Sequence, residues 1–348
     1  MNDLRNNITL DNIANYGNAL IAHANAKRGK RNYYEIPQFE ACLSDNLHEL
    51  CDEFNAGTYR TRGYIVSKIL DGTSKKERTI AKVCYKDRVA QWMIALQYQP
   101  YYLSILHPNT HAAIPGRGIH SALRSTEKYV RVNKYEWCLK FDIRHYFESI
   151  NRAVLKQQME EDIPDETILR IVCGIIDDAP MTGIPIGNYS SQYLANRYLC
   201  PFDFWLGERA DFVRYMDDVV VFGHSKDELV KLFREIEWFL LRNLYLEIKP
   251  NWQIFRIADR GIDFVGYRIF PYKTILRKRA FRDTRHVTLE LSKKVGCGGE
   301  LTYSETCSLM SRLGWVFPLS VDSKQYIWRT YFLPIGLSVK KKTIKKLY

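Results

Sequence analysis

A chain of 348 residues, 46% hydrophobic and 26% charged, is long enough for a large core or for two to three domains, and this ordinary globular make-up excludes a disordered or fibrous protein. The formal net charge of +12 points to a polyanionic partner. The eight cysteines form no CxxC pair and no Cys/His cluster at zinc spacing, which excludes a zinc module and leads us to expect a reduced compartment.

Taken in chain order, the polar stretch Met1 to Asn12 is expected to carry no signal peptide. Residues 1 to about 60 read as helical, because Leu10, Ile13 and Tyr16, then Leu20 and Ile21, recur at helical spacing. A basic patch runs from Lys27 to Arg31 within this region. Tyr64 to Leu70 reads as a strand, Asp71-Gly72-Thr73 as a turn, and Lys75 to Lys82 as a basic strand, so a hairpin is expected. Asp87 to Leu106 repeats Val89, Trp92, Met93, Leu96 and Tyr98 at helical period. His107 and His111 are four apart but lack the glutamate of a zinc protease helix.

Trp137 to Ile143 (WCLKFDI) reads as a core strand carrying Asp142, with a helix from Asn151. Gly183 to Gly187 is a turn and Ser190 to Leu206 a helix. The longest uncharged run, Ala179 to Asn196, holds two prolines and two glycines and is no membrane span. Arg214 to Gly223 (RYMDDVVVFG) reads as a hairpin with Asp217 and Asp218 at its tip. Lys226 to Arg242 is an amphipathic helix, Leu244 to Ile248 and Ile262 to Ile269 are strands, and after Arg277 the pattern is helical and basic. From Pro271 to Tyr348 there are 16 Lys and Arg against 5 Asp and Glu. Trp315, Phe317, Tyr326, Trp328, Tyr331 and Phe332 are interleaved with those charges, which suits a nucleic-acid face with stacking aromatics, or in part the core of a helical subdomain.

Two adjacent carboxylates in a buried hairpin repel each other and lose hydration, at a cost on the order of several kcal/mol per ion. Bound metal offsets that cost, and oxygen ligands suit Mg²⁺. If the strands of Asp142 and Asp217-Asp218 are neighbours, the carboxylates can converge on two cations about 3.5–4 Å apart, which clamp the attacking and leaving oxygens of a phosphoryl displacement. The plainer reading is a surface Asp-Asp turn.

The segments Asp142-Ile143-Arg144-His145-Tyr146-Phe147, Gly187 to Gln192, Tyr215 to Asp218 and Gly261 to Tyr267 stand in an order that resembles the palm motifs of prokaryotic reverse transcriptases, over about Tyr64 to Arg279. Ile186-Gly187 and Ser191-Gln192, the stretch Gly261 to Arg268 and Leu276-Arg277-Lys278 are most similar to the enzymes of diversity-generating retroelements. The resemblance implies an α+β right-hand polymerase: a helical N-terminal segment at 1–60, fingers at 61–135, an antiparallel palm sheet flanked by helices at 136–270 with a fingers insertion at about 151–184, and a basic helical thumb at 271–348.

It also implies roles. Asp142, Asp217 and Asp218 would be catalytic and hold two Mg²⁺ ions, or Mn²⁺ in their place, with the Ile143 carbonyl as a further ligand. Phe147 would exclude a ribose 2′-OH. Lys76, Arg78, Arg117, Gly187, Ser191, Gln192 and Lys249 would line the nucleotide site, with Arg78 gripping the triphosphate and Lys249 protonating pyrophosphate. Phe264, Gly266 and Tyr267 would grip the primer, and Arg277, Lys278, Arg279, Lys340, Lys341 and Lys342 would bind nucleic acid. The second motif departs from the family: Ile114-Pro115 is followed by Gly116-Arg117-Gly118, with Arg117 standing in for an arginine that usually precedes the proline. Ile186 replaces a glutamine, which by resemblance goes with error-prone copying.

The expected partners are a structured template RNA, the cDNA product, deoxynucleotides, and a basic accessory protein or an oligomer of the chain; the expected location is the cytoplasm, for a bacterial or phage-encoded protein, without a membrane. Two rivals are a defence-associated bacterial reverse transcriptase with its own noncoding RNA, and a catalytically idle RNA-binding scaffold.

Overall fold

The computed structural model describes residues 2–30, 33–70 and 77–336, with the side chain of Asn2 left aside. The chain divides into two compact units, one of residues 1–115, 141–209 and 232–252, the other of 116–140, 210–231 and 253–348. Antiparallel sheets and helices make up both, as expected of an α+β protein. Among the described residues no helix is long and apolar enough to cross a membrane.

The first unit is built on the 21-residue helix Tyr85–Ile105, against which the helix Tyr16–Ala26 packs. Asn15 opens the Tyr16–Ala26 helix, its side chain accepting from the Asn18 N–H. The expected hairpin forms from β1 (Tyr64–Leu70) and β2 (Glu77–Val83), in antiparallel register from Tyr64↔Val83 to Leu70↔Glu77. The turn at Asp71 to Thr73, and Lys76 with it, lies outside the described residues. The helix expected over Ser190 to Leu206 is two helices, Tyr189–Tyr198 and Cys200–Gly207. The reason is Pro201, which has no N–H for the helical ladder and so sits in the first turn of a new helix.

The second unit holds two sheets. The first has the order β4-β5-β3-β6, with β3 at Trp137–Asp142, β4 at Phe212–Tyr215, β5 at Asp218–Gly223 and β6 at Gln253–Arg256. Phe141 and Asp142, at the end of β3, already count with the first unit. The second sheet, β7 (Ile262–Phe264), β8 (Tyr267–Ile269) and β9 (Thr274–Leu276), corrects the single strand expected over Ile262 to Ile269. Val265 at φ +43° and Gly266 at φ +91° make a two-residue loop that folds the segment back on itself. Leu244 to Ile248 is likewise no strand. Tyr245 has φ +54°, which ends the extended path just after the helix Lys226–Leu244 and leaves a single bridge, Ile143↔Ile248.

Val213, Val220, Phe222, Phe264, Tyr267 and Ile269 form the core of the second unit. Tyr331 and Phe332 are buried there too, so those two aromatics are core and not stacking platforms, whereas Phe317, Tyr326 and Trp328 are exposed.

Candidate active site

In the second unit the Asp-Asp pair sits where the hairpin turns. Tyr215 pairs with Asp218 across β4 and β5, leaving Met216 and Asp217 as the loop. Met216 has φ +59°, a conformation that costs an L-residue about 1–2 kcal/mol. The cause of its persistence lies underneath. Arg214 is wholly buried, and its Nη1 donates to the Met216 carbonyl at 2.9 Å. A buried guanidinium needs partners, and one of them is the strained turn itself.

The carboxylates are half-buried, not buried as the apolar flanks suggested, because the apolar run that is sealed in the core begins only at Val219. Lys140, on β3, donates to Asp218 Oδ1 at 2.7 Å. This charge pairing and the remaining hydration make the pair tolerable in the free protein.

In the first unit Asp142 ends β3. Its backbone carbonyl accepts from the Lys249 N–H at 2.9 Å, and the Lys249 ammonium stands 3.5 Å from its Oδ1. Ile143 is buried and bridges Ile248, and the Arg144 N–H donates to the Glu247 carbonyl, so the main chain that presents Asp142 is held on both sides of the residue. Phe147 is half-buried. Its carbonyl accepts from the Ile184 N–H at 2.9 Å, and a Cβ at Gly183 would lie 2.1 Å from that same oxygen, so only glycine fits. The Ile186 carbonyl in turn accepts from the Ala81 N–H of β2 at 3.1 Å. A chain of backbone hydrogen bonds thus links the strand of Arg78 to the Gly183 to Gly187 turn, and that turn to Phe147. Gly187 and Gln192 are exposed and Ser191 is buried, so the hydroxyl expected at the nucleotide is turned into the protein.

The remaining residues are scattered over the second unit. Arg117 lines an open cleft of about 540 Å³ with Tyr215, His120, Arg124 and Trp315. Phe264 and Tyr267 are fully buried, and the Val265-Gly266 loop between them is half-buried. Gly266 is glycine because a Cβ would fall 2.4 Å from the Trp315 ring. Tyr267 donates to the Trp315 carbonyl at 3.1 Å, and burial raises its phenol. Arg277 is engaged by Asp263, with Nε 2.5 Å from Oδ1. Lys278 is exposed and Arg279 half-buried; Lys340, Lys341 and Lys342 lie outside the described residues.

Sequence reasoning missed three residues with a positioning part: Arg214, Lys140 and Arg152. Arg152 fastens the loop before the glycine turn, donating to the carbonyls of Asp177 at 3.2 Å, Ala179 at 2.9 Å and Gly183 at 2.8 Å. The signal for the first two was a lone cation inside an otherwise apolar strand, which demands a partner.

Asp142, Asp217, Asp218 and the Ile143 carbonyl offer the hard oxygens that a divalent cation takes, and Asp218 and Asp142 each lie beside a lysine ammonium that an ion could displace. Among the described residues no three or more His, Cys, Asp or Glu side chains are grouped closely enough to hold a metal ion as they stand. The donors fit in kind.

The family model described as reverse transcriptase (RNA-dependent DNA polymerase) matches residues 69–269, more than half of the chain, and the chain belongs to that family. It is 25% identical over 144 residues to a protein of Schizosaccharomyces pombe described as an uncharacterized 91 kDa protein in a cob intron. That stretch is 39% of this chain and 18% of the relative, so the chain spans less than a fifth of the relative's length. Among solved structures it is similar to telomerase of Candida tropicalis in complex with a fragment of telomeric RNA, with TM-score 0.48, 12% identity, and coverage of 80% of this chain and 58% of that one. A similar likeness holds to the Candida albicans telomerase complex, with TM-score 0.47, 11% identity, and coverage of 81% and 57%.

Proposed function

We propose that the chain is an RNA-templated DNA polymerase in which Asp142, Asp217 and Asp218 act as one set. The observation that carries this reading is the turn at Met216 and Asp217, a strained conformation supported by a buried arginine, because strain of this kind is kept where it serves a site. Divalent metal, Mg²⁺ or Mn²⁺ in its place, supplies charge stabilisation for phosphoryl transfer when bound. The three carboxylates and the Ile143 carbonyl would hold it. Arg78 contributes positive charge toward a triphosphate. Lys249 carries a proton on Nζ close to Asp142 and can release it to a departing pyrophosphate. Phe147 limits room at the sugar.

The fingers, palm and thumb division at 61–135, 136–270 and 271–348 belongs to the same proposal, as do a structured RNA template, a cDNA product and a bacterial cytoplasm. Within the family we favour an enzyme of a diversity-generating retroelement, on the Ile186-Gly187 and Ser191-Gln192 pattern.

The test is primer extension on an RNA template with deoxynucleotides and Mg²⁺, comparing the wild type with Asp217→Asn/Asp218→Asn. The double variant should lose about 10⁴-fold or more in rate, as expected for groups that act as a unit, while its thermal melting stays close to that of the wild type. Extension at the wild-type rate refutes the assignment.

A further inference from the structure

The helix Lys226–Leu244 buries Leu232, Ile236, Leu240 and Leu244, yet it also carries a second apolar stripe on its outer side. Trp238 is 62% exposed, Leu241 50%, and Tyr245, just past the helix end, 60%. With Arg234 these residues follow the four-three-four spacing of a helix–helix seam. Each of the three thus stays at least half exposed among the described residues. Among the described residues Arg234 and Arg242 have no ion-pair partner, and Glu235 has only a long contact of 3.8 Å to Arg209.

The charge around the stripe identifies the occupant. Residues 234–245 carry Arg234 and Arg242 against Glu235 and Glu237, a balanced face on a chain of net charge +12. A phosphate backbone would be repelled by the two glutamates. A protein with both signs in matching register would not, and a second copy of this chain has that register. We infer that this face is an isologous contact in which two copies pack the Lys226–Leu244 helix antiparallel.

With the two-fold axis midway between Trp238 and Leu241, Trp238 of each copy meets Leu241 of the other. Arg234 then lies over Tyr245 of the second copy, a cation–π arrangement. Glu235 and Arg242 occupy the same flank of the seam, where like positions of antiparallel helices approach each other. A parallel pairing would instead set Arg234 against its own copy, so the sequence selects the antiparallel one. Four seam residues cover less than the roughly 1,200 Å² of a tight interface, and the dimer is accordingly weak and concentration-dependent.

Sedimentation velocity of the full chain, treated with nuclease, tests this over about 1–100 µM, the range for an interface of this size. The wild type should move from monomer to dimer within that range. Trp238→Glu should raise the concentration of half-association about tenfold or more. Glu235→Arg alone and Arg242→Glu alone should each weaken association, and the two together should restore it. Thermal melting checks that each variant is folded; should Trp238→Glu not fold, the charge-reversal pair carries the test. A wild type that is monomeric throughout, association that disappears with nuclease, an unweakened Trp238→Glu variant, or a double reversal no better than the singles overturns the inference.

Discussion

The two units hold their carboxylates in different ways. In the first, Asp142 is presented by main chain paired on both sides, and the residues proposed to line the nucleotide are tied together by backbone hydrogen bonds that run from Ala81 through Ile186 and from Ile184 to Phe147. In the second, Asp217 sits in a turn closed by the β4–β5 ladder, and the strained carbonyl of its positive-φ neighbour Met216 rests on one buried side chain, Arg214. Backbone support distributes the load over many bonds. Support by one side chain concentrates it, so the second unit should be the more fragile to point substitution.

Arg214→Leu should therefore cause the largest loss of stability. It removes a wholly buried side chain and leaves the Met216 carbonyl without this donor, for a loss of about 3 kcal/mol in chemical unfolding. Arg214→Lys, which keeps charge but not the planar fork, should fall between Arg214→Leu and the wild type. If both variants unfold like the wild type, the contrast between the units fails. Gly183→Ala probes the other side. Its methyl would meet the Phe147 carbonyl at 2.1 Å, so the turn must shift, at a cost of about 1–3 kcal/mol, and extension should slow with it.

Phe147→Ala is expected to act on selectivity more than on stability, because the ring is only half-buried. Discrimination against ribonucleotides should fall about tenfold or more in primer extension with each nucleotide pool. Unchanged discrimination would make Phe147 a packing residue.

The smallest effect lies away from the site. Burial lowers the pKa of His23, against a weaker opposing hydrogen bond to Glu40. The unfolded chain, with His near its usual value of about 6.5, then binds the proton first as pH falls. Stability should decline from about pH 6.5 downward, and His23→Gln should show a shallower decline in melting temperature between about pH 7 and 5.5. Equal slopes would remove His23 from the acid response.

Much of this architecture could be read from residue order. The β1–β2 hairpin, the long helix at Tyr85–Ile105, β3 and the Asp-Asp hairpin all carry clear periodicity or turn signals. What escaped was short or depended on burial. β7 and β8 are three residues each, and an apolar run of that length looks the same whether or not it folds back at Val265-Gly266. Tyr267 packs against Trp315, 48 residues further on, which no local pattern reveals. The direction of Ser191 depends on the phase of the helix Tyr189–Tyr198, whose start follows the Gly183 to Gly187 turn. Arg214 and Lys140 were visible as lone cations in apolar strands, but their partners were not.

The central proposal is that Asp142 and Asp218 serve one reaction. A double-mutant cycle on single-turnover extension of an RNA-templated primer tests it most directly. Asp142→Asn, Asp218→Asn and the double variant should all lose about the same factor, roughly 10⁴ or more, because residues that act as a unit are not additive. Losses that multiply in the double variant, or an Asp142→Asn enzyme that extends normally, would contradict it.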